Sequence, residues 1–357
     1  MRPVHPHTPR LMHDLDRRHF LGTAAMALAA AHLGIPSAAR ALVAGNIPKD
    51  RAPGVTGDAR ATFDDVKQID AGLLNVGYVD AGPATGPAVI LLHGWPYDIH
   101  SYAEVTPLLA AKGYRVIVPY LRGYGTTRFL SSGTMRNAQQ SVVALDIIHL
   151  MDALQIKTAI IGGFDWGART AAVMGALWPE RCKALVCVSG YLVTSLAANL
   201  QPLPPAAEYG WRYQYYFATP RGELGYSTNR YDFNRLIWKS ASPKWDFDAA
   251  TYDRTAASFD NPDHVAIVIH NYRWRLSLAD GERQYDQLEQ RLSRLPVITV
   301  PTITVASDFD GPAADGARYA KQFSGAHSHR ILPGIGHNVP QEAPREFAQA
   351  VLDAGAY

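Results

Sequence analysis

The chain has 357 residues, 47% of them hydrophobic, and a formal net charge of +2 at pH 7. This length is enough for one large hydrophobic core with an inserted domain, and it does not require several independent domains. A net charge so close to zero does not favour binding to nucleic acid or to an anionic membrane surface.

Residues 1–41 are predicted to be an export signal that does not belong to the fold. Arg17 and Arg18 form a twin-arginine pair, and a short apolar stretch follows over residues 21–33. Ala39 and Ala41 flank a candidate cleavage site of the small-x-small type. The apolar stretch is too short for a spanning helix, so no stable membrane anchor is expected. The signal predicts a periplasmic or secreted bacterial protein, with residues 42–60 as a leader.

Residues 61–192 alternate between apolar runs and amphipathic segments. Strands are predicted at 65–71, 73–80, 88–92, 114–119, 158–162 and 184–189. Helices are predicted at 102–111, 139–154 and 168–177. Short continuous Val/Ile/Leu runs separated by helices are typical of a mostly parallel sheet with both faces covered.

The alternation stops over residues 193–296, which are rich in aromatic residues and poor in strand patterns. Helical periodicity is present at 206–219, 229–240 and 263–277. From residue 297 to 357 the α/β pattern resumes, with predicted strands at 302–307 and 329–332 and predicted helices at 313–323 and 343–354. The sequence therefore predicts an α/β fold whose sheet is flanked by helices and interrupted by an α-helical cap.

An aspartate occupies the turn between the strand at 158–162 and the helix that follows it. Asp165 lies in the sequence Gly-Phe-Asp-Trp-Gly, with Gly163 and Gly167 at its ends. Small residues at these positions allow the sharp strand–turn–helix that lifts one side chain out of the sheet. A carboxylate there is already an anion, and its oxygen can form an ester by displacement at saturated carbon.

With Asp165 in this position, residues 60–357 resemble the epoxide hydrolases of the α/β-hydrolase fold, and more weakly the haloalkane and haloacetate dehalogenases. The resemblance implies hydrolysis of an organic epoxide to a vicinal diol through an ester on Asp165. It implies neither a metal nor an organic cofactor. It also implies that the backbone N–H groups of Trp95, in the loop after strand 88–92, and of Trp166 form an oxyanion hole.

The resemblance further implies a histidine base and an acid that orients it. His337 follows the last predicted strand, where this fold carries its base, and it would activate the water that hydrolyses the ester. Two carboxylates, Asp308 and Asp310, end the strand at 302–307. The family pattern favours Asp310 as the acid, with Asp308 held in reserve.

The cap carries the remaining candidates. Tyr213 and Tyr272 match the two tyrosines with which epoxide hydrolases hydrogen-bond the ring oxygen, and Tyr215 and Tyr216 are alternatives in neighbouring register. An apolar small-molecule substrate is expected. The predicted substrate-binding residues are Trp95, Trp166, Trp211, Tyr216 and Phe217.

Two other functions are kept open. The same aspartate could displace a halide, with Trp166 as a halide donor, but Trp95 stands where haloalkane dehalogenases commonly carry a side-chain donor. A fluoroacetate-type enzyme would need an arginine for its substrate carboxylate, and Arg122, Arg169 and Arg273 are available. A ligand-binding protein without catalysis is the second possibility, although such a protein has no reason to keep this set of residues together.

The cysteines and the other histidines are not expected to bind metal. Cys182 and Cys187 match no metal or redox spacing, and a strand would hold them too far apart for a disulfide. They are predicted to be packing residues. His264 and His270 likewise show no metal-ligand spacing.

Overall fold

The computed structural model describes residue 63 and residues 65–357. The predicted export signal (1–41) and leader (42–60) lie outside these residues. Within the described part of the chain, no helix combines the length and apolar character needed to cross a membrane.

The described residues contain one nine-stranded sheet with the order β1-β2-β4-β3-β6-β7-β8-β9, in which the short β5 pairs with β2. The strands are β1 Lys67–Ala71, β2 Leu74–Ala81, β3 Ala88–Leu92, β4 Arg115–Pro119, β5 Arg128–Phe129, β6 Ala159–Gly163, β7 Cys182–Val188, β8 Thr302–Ser307 and β9 His327–Leu332. Only the pairs that involve β2 are antiparallel. The prediction of a mostly parallel sheet is confirmed.

Helices cover both faces of this sheet. They are α1 Val105–Ala110, α2 Gln140–Ala153, α3 Trp166–Leu177, α11 Val339–Glu342 and α12 Pro344–Gly355. The central strands β3, β6 and β7 are almost entirely buried, which explains why their sequences are continuously apolar and do not alternate. The carboxyl ends of β3, β6, β8 and β9 meet at one edge of the sheet, and loops from this edge carry the candidate catalytic residues.

A block of seven described helices lies between β7 and β8. They are α4 Leu196–Asn199, α5 Pro205–Gly210, α6 Arg212–Phe217, α7 Pro220–Ala241, α8 Ala249–Ala256, α9 His264–Arg275 and α10 Asp286–Ser293. The helix predicted at 206–219 is divided at Trp211 into α5 and α6. Helix α7 is kinked at Asn229, whose φ and ψ angles of −123° and 26° are not helical, so the predicted helix at 229–240 corresponds to its second part. The first part was not predicted, and the Thr219 hydroxyl caps it by accepting a hydrogen bond from the Gly222 N–H. Helices α8 and α10 were not predicted.

The prediction of a helix at 313–323 is wrong. Two short 3-10 segments, Asp308–Ala313 and Ala317–Gln322, occupy this part of the chain. Gly311 and Gly316 have φ angles of 55° and 70°, which belong to the left-handed region and interrupt a right-handed helix. The resumed α/β alternation suggested a helix here, but the left-handed conformation of Gly316, inside the predicted range, interrupts it.

Cys182 and Cys187 are both buried, free thiols in β7, which confirms that they are packing residues. Burial in an apolar environment raises the pKa of both thiols, to about 12 for Cys187. Both side chains are therefore neutral parts of the core.

The turn between β6 and α3 depends on glycine at position 167. A Cβ atom at Gly167 would lie 1.8 Å from the backbone oxygen of Leu92. We expect Gly167→Ala to lower the free energy of unfolding by about 3 kcal/mol, because β3 or α3 must move to relieve the overlap. Chemical denaturation followed by circular dichroism measures the change.

Gly133→Ala is the matched control for this substitution. Gly133 is exposed, and a Cβ atom there would lie 3.6 Å from the nearest described atom. We expect this variant to stay within about 0.5 kcal/mol of the wild type. Equal stability of the two variants would contradict the close packing of α3 on β3.

Candidate active site

A cavity of about 800 Å³ lies between the carboxyl edge of the sheet and the cap. Asp165, His337 and Trp95 line it on the core side. Most of the wall is apolar or aromatic and includes Trp211, Tyr213, Tyr216, Phe233, Leu236, Ile237, Phe309 and Ile335. Tyr209 and Leu236 also line the cavity and are each 60% exposed, so the cavity opens at the surface of the cap.

Asp165 adopts an unusual backbone conformation at the turn between β6 and α3. Its φ and ψ angles are 52° and −120°, and φ is positive although the residue is not glycine. The turn directs its side chain toward Gly94, where a Cβ atom would lie 2.3 Å from the Asp165 Cβ. This strained strand-to-helix turn holds one carboxylate at the base of the cavity.

The two oxygens of the Asp165 carboxylate have different partners. The Trp95 N–H donates a hydrogen bond to Oδ1 at 2.8 Å, whereas His337 Nε2 lies 3.4 Å from Oδ2. Burial by itself raises the pKa of Asp165. His337, the charge of Arg169 and the Trp95 N–H together outweigh burial, and the pKa is below its usual value. The group is therefore an anion at neutral pH.

The second expected donor is close in sequence but makes no such bond. Among the described residues, the Trp166 N–H has no hydrogen bond to the Asp165 carboxylate, and Trp166 is not part of the cavity wall. Its indole Nε1 is buried and has no hydrogen-bond partner within the described chain. Trp95 is thus the one predicted oxyanion donor that already contacts Asp165.

His337 is held between aromatic rings. The Phe309 ring centroid lies 4.1 Å from the imidazole, and those of Tyr97 and Phe164 lie 5.8 and 5.9 Å away. His337 Nδ1 is buried and has no hydrogen-bond partner within the described residues. The imidazole therefore directs Nε2 toward Asp165, but the expected bond between Nδ1 and an acid is not formed.

The two candidate acids have different surroundings. Asp310 is buried (4% exposed), and its Oδ2 accepts a hydrogen bond from the Ser307 N–H at 2.9 Å. Burial raises the pKa of Asp310, and the Ser307 N–H and nearby His337 offset only part of this effect. Asp308 is part of the cavity rim and forms an ion pair with Lys244 at 2.6 Å. Of the two, only Asp310 is buried, and the charge of His337 influences its pKa.

The two predicted cap tyrosines lie together over Trp95. Their rings are 5.3 Å apart, and their centroids are 5.1 Å (Tyr213) and 5.2 Å (Tyr272) from the Trp95 ring. Tyr213 lines the cavity, whereas Tyr272 is 1% exposed and lies behind it. Burial raises the pKa of both phenols, so both remain neutral donors at physiological pH.

The neighbouring aromatic residues separate into three groups. Tyr215 is 47% exposed and is hydrogen-bonded to Glu208, away from the cavity. Tyr216 and Trp211 line the cavity as expected. Phe217 does not: it is completely buried behind the wall, where it packs against Trp95. The expectation that Phe217 contacts substrate directly is therefore not met.

A buried hydrogen-bond chain that the sequence did not indicate connects Trp95 to the cap. Trp95 Nε1 donates to the Tyr226 hydroxyl at 2.9 Å, and that hydroxyl lies 2.9 Å from His264 Nε2. His264 Nδ1 in turn lies 2.9 Å from the Gly123 carbonyl oxygen. Burial lowers the pKa of His264 to about 3, so the ring is neutral and can accept at Nε2 while it donates at Nδ1.

Comparison with known proteins agrees with this architecture. Residues 87–344 match a family model described as the alpha/beta hydrolase fold. A crystal structure of a candidate epoxide hydrolase from Klebsiella pneumoniae is 60% identical and superposes with a TM-score of 0.82. The alignment covers 84% of this chain and all of that one. The chain belongs to the epoxide hydrolase family of the α/β-hydrolase fold.

Two more distant relatives are also similar. An epoxide hydrolase of Caballeronia sordidicola is 24% identical over 308 residues, which are 80% of this chain and 93% of that protein. A haloalkane dehalogenase of Mycobacterium marinum is 31% identical over 156 residues, which are 43% of this chain and 49% of the relative. Among the described residues, no group of three or more His, Cys, Asp and Glu side chains is arranged to hold a metal ion.

Tyr226 is the central member of the hydrogen-bond chain and can be tested by removal of one oxygen. Tyr226→Phe leaves the Trp95 indole N–H and His264 Nε2 buried without their partner. We expect the free energy of unfolding to fall by about 1–3 kcal/mol. Tyr231→Phe, which removes an exposed hydroxyl that donates to Asp253, is the control and is expected to change stability by less than about 1 kcal/mol. If Tyr226→Phe has the same free energy of unfolding as the control, the hydrogen bonds that join Trp95, Tyr226 and His264 do not stabilise the fold.

Proposed function

We propose that the protein hydrolyses apolar epoxides to vicinal diols in two steps through an ester on Asp165. The proposal rests on one observation, that the two oxygens of Asp165 have different partners. Oδ1 is already bonded to the Trp95 N–H, and Oδ2 lies beside His337 Nε2 at the cavity. One oxygen is thus available to react, and the other is in place to accept negative charge.

In the first step, Asp165 Oδ2 attacks one epoxide carbon, and the bond from that carbon to the ring oxygen breaks. The ring oxygen gains negative charge and needs a hydrogen-bond donor or a proton. Tyr213 and Tyr272 are assigned this task because their neutral phenols lie next to Trp95 above the carboxylate. Tyr213 would contact the oxygen directly because it lines the cavity, and Tyr272, whose ring packs edge-on against that of Tyr213, would be the second donor.

In the second step, His337 removes a proton from water, and the hydroxide attacks the carbonyl carbon of the ester. Negative charge then develops on Oδ1, where the Trp95 N–H already donates a hydrogen bond. Trp166 is proposed as the second donor because its N–H follows the nucleophile directly at the start of α3. Collapse of the tetrahedral intermediate breaks the bond between its central carbon and Oδ2, which leaves with the diol. Both diol oxygens leave as hydroxyls with the two protons of the water, one of which His337 returns, and the oxygen of the water remains on Asp165.

Asp310 is proposed to stabilise the imidazolium that His337 becomes in this step. Its burial and its proximity to the imidazole support this role. Asp308, the reserve candidate, pairs with Lys244 and with the Gly334 N–H at the rim. The ion pair with Lys244 is a surface interaction and does not require Asp308 to approach His337.

The cavity wall supports an apolar substrate. Aromatic and aliphatic side chains form most of the surface that a bound molecule would touch, and the charged side chains apart from Asp165 lie toward the rim. About 800 Å³ is within the range of drug-sized ligand sites, so the cavity can hold an epoxide with a bulky apolar substituent.

Halide displacement by the same aspartate is the alternative function, and the haloalkane dehalogenase of M. marinum is a partial relative in its favour. The Trp95 indole N–H is occupied by Tyr226 and is not free to bind a halide. The indole N–H of Trp166, the expected halide donor, has no partner within the described residues, but Trp166 does not line the cavity. For a fluoroacetate-type reaction, an arginine must reach the substrate carboxylate. None of Arg122, Arg169 and Arg273 lines the cavity.

Each of these arginines has a partner elsewhere. Arg122 forms a buried ion pair with Asp146, Arg273 pairs with Glu223, and Arg169 donates to the Leu192 carbonyl oxygen. An epoxide therefore fits the site better than a halogenated acid.

We further propose that the protein is exported through the twin-arginine route to the periplasm or the exterior. The arginine pair, the short apolar stretch and the cleavage site in residues 1–41 support this. Replacing Arg17 and Arg18 together with lysine keeps the charge and should leave the uncleaved precursor in the cytosol. Unchanged export of this variant, measured by cell fractionation, would contradict the proposal.

The ester intermediate can be trapped by removal of the base. In His337→Gln the first step remains possible, but water is no longer activated, so the hydroxyalkyl ester should accumulate on Asp165. Intact-mass analysis after incubation with styrene oxide should show a gain equal to the mass of the epoxide. Asp165→Ala should show neither the adduct nor diol formation.

Assays with halogenated substrates distinguish a dehalogenase from an epoxide hydrolase. If the wild type releases halide from a panel of organohalides and forms no diol from epoxides, the protein is a dehalogenase. Diol formation by Asp165→Ala at the wild-type rate would instead exclude the covalent mechanism.

The tyrosine pair makes a separate prediction about the first step. Tyr213→Phe removes the hydroxyl that faces the cavity, and the rate of ester formation should fall about 10- to 100-fold, as expected for loss of one hydrogen bond to a charged group. Rapid-quench kinetics measures this rate. Tyr215→Phe, whose hydroxyl is bonded to Glu208 at the surface, is the matched control and should react normally.

A further inference from the structure

A cap residue is hydrogen-bonded to the backbone of the proposed catalytic histidine. Ser242 follows the last residue of α7, and its side-chain oxygen accepts a hydrogen bond from the His337 N–H at 2.9 Å. Ser242 is 1% exposed. It is separated from His337 by 95 residues in the sequence, so this bond joins the cap directly to the loop after β9.

Glu342 completes this contact from the core side. Its Oε1 accepts hydrogen bonds from the Ser242 hydroxyl at 2.6 Å and from the Asn338 N–H at 3.1 Å. Its Oε2 accepts one from the Gly336 N–H at 2.7 Å. Together Ser242 and Glu342 bind three successive backbone N–H groups, those of Gly336, His337 and Asn338.

The contact is also tight in steric terms. A Cβ atom at Gly336 would lie 2.5 Å from the Ser242 side-chain oxygen and 2.6 Å from its Cα. The cap backbone at Ser242 therefore lies directly against the loop that carries His337, and only glycine fits at position 336. Pro243, next to Ser242, lines the cavity together with Gly336 and His337.

We propose that Ser242, acting with Glu342, is a positioning residue that holds the His337 backbone so that Nε2 faces Asp165. This inference rests on the proposed function, in which His337 acts only in ester hydrolysis. Because the histidine takes no part in the attack on the epoxide, loss of Ser242 should slow the second step and leave the first step nearly unchanged. A general loss of structure would affect both steps.

The test compares the two steps in Ser242→Ala with those in a matched control. In Ser293→Ala the lost hydroxyl also lies at the end of a cap helix, but it is exposed and donates only to the Gln290 carbonyl oxygen of its own helix. Rapid-quench intact-mass analysis with styrene oxide gives the rates of ester formation and ester hydrolysis. For Ser242→Ala we expect ester formation within about twofold of the wild type. We expect hydrolysis to be slower by about 10-fold or more, because a misplaced base loses effective orientation.

Glu342→Gln is the second variant. It replaces one carboxylate oxygen by an amide nitrogen, which cannot accept a hydrogen bond from Ser242 or from the backbone N–H groups. It should slow hydrolysis in the same direction, and the double variant should be no slower than the slower single variant, since both residues act through one contact. Equal slowing of both steps in Ser242→Ala, or rates like those of Ser293→Ala, would overturn the inference. The proposed function fails separately, if His337→Gln accumulates no ester at all.

Discussion

The hydrogen bond from the Trp95 N–H to Asp165 Oδ1 makes the two carboxylate oxygens unequal, and the proposed chemistry depends on this asymmetry. The bond requires that β3 and the turn after β6 approach closely, which the glycines at 94 and 167 permit. It also requires Asp165 to keep a positive φ, a conformation that costs free energy and must be stabilised by the surrounding packing. The sheet supplies that packing, because β3 and β6 are paired neighbours at its centre.

The electrostatics of the site follow from burial. Asp165 is the anion at the base of the cavity, and burial keeps both tyrosines and His264 neutral. A neutral donor next to a carboxylate can hydrogen-bond a developing alkoxide without first neutralising the nucleophile. The charge of Arg169 contributes to the lowered pKa of Asp165, but Arg169 does not line the cavity.

Sequence reasoning located the residues whose positions are set by local chain geometry. Asp165 follows from a strand–glycine–helix pattern, and the parallel sheet follows from apolar runs such as 88–92. It could not locate contacts between distant segments, because no motif marks the pairing of Tyr226 with Trp95 or of Ser242 with His337. Nor could it tell which face of α6 each aromatic residue occupies, and the expectation for Phe217 was wrong for this reason.

The chain from Trp95 through Tyr226 and His264 has a consequence for how a substrate enters. The backbone of Trp95 belongs to the core, but its indole is fastened to helices α7 and α9. Lifting the whole cap would break buried polar pairs and disturb the donor that contacts the nucleophile. A molecule in solution can instead reach the cavity where its wall is exposed to solvent, at residues such as Tyr209 and Leu236. Entry by this route does not require the cap to move, so the hydrogen bonds of Trp95 to Asp165 and Tyr226 can persist from one turnover to the next.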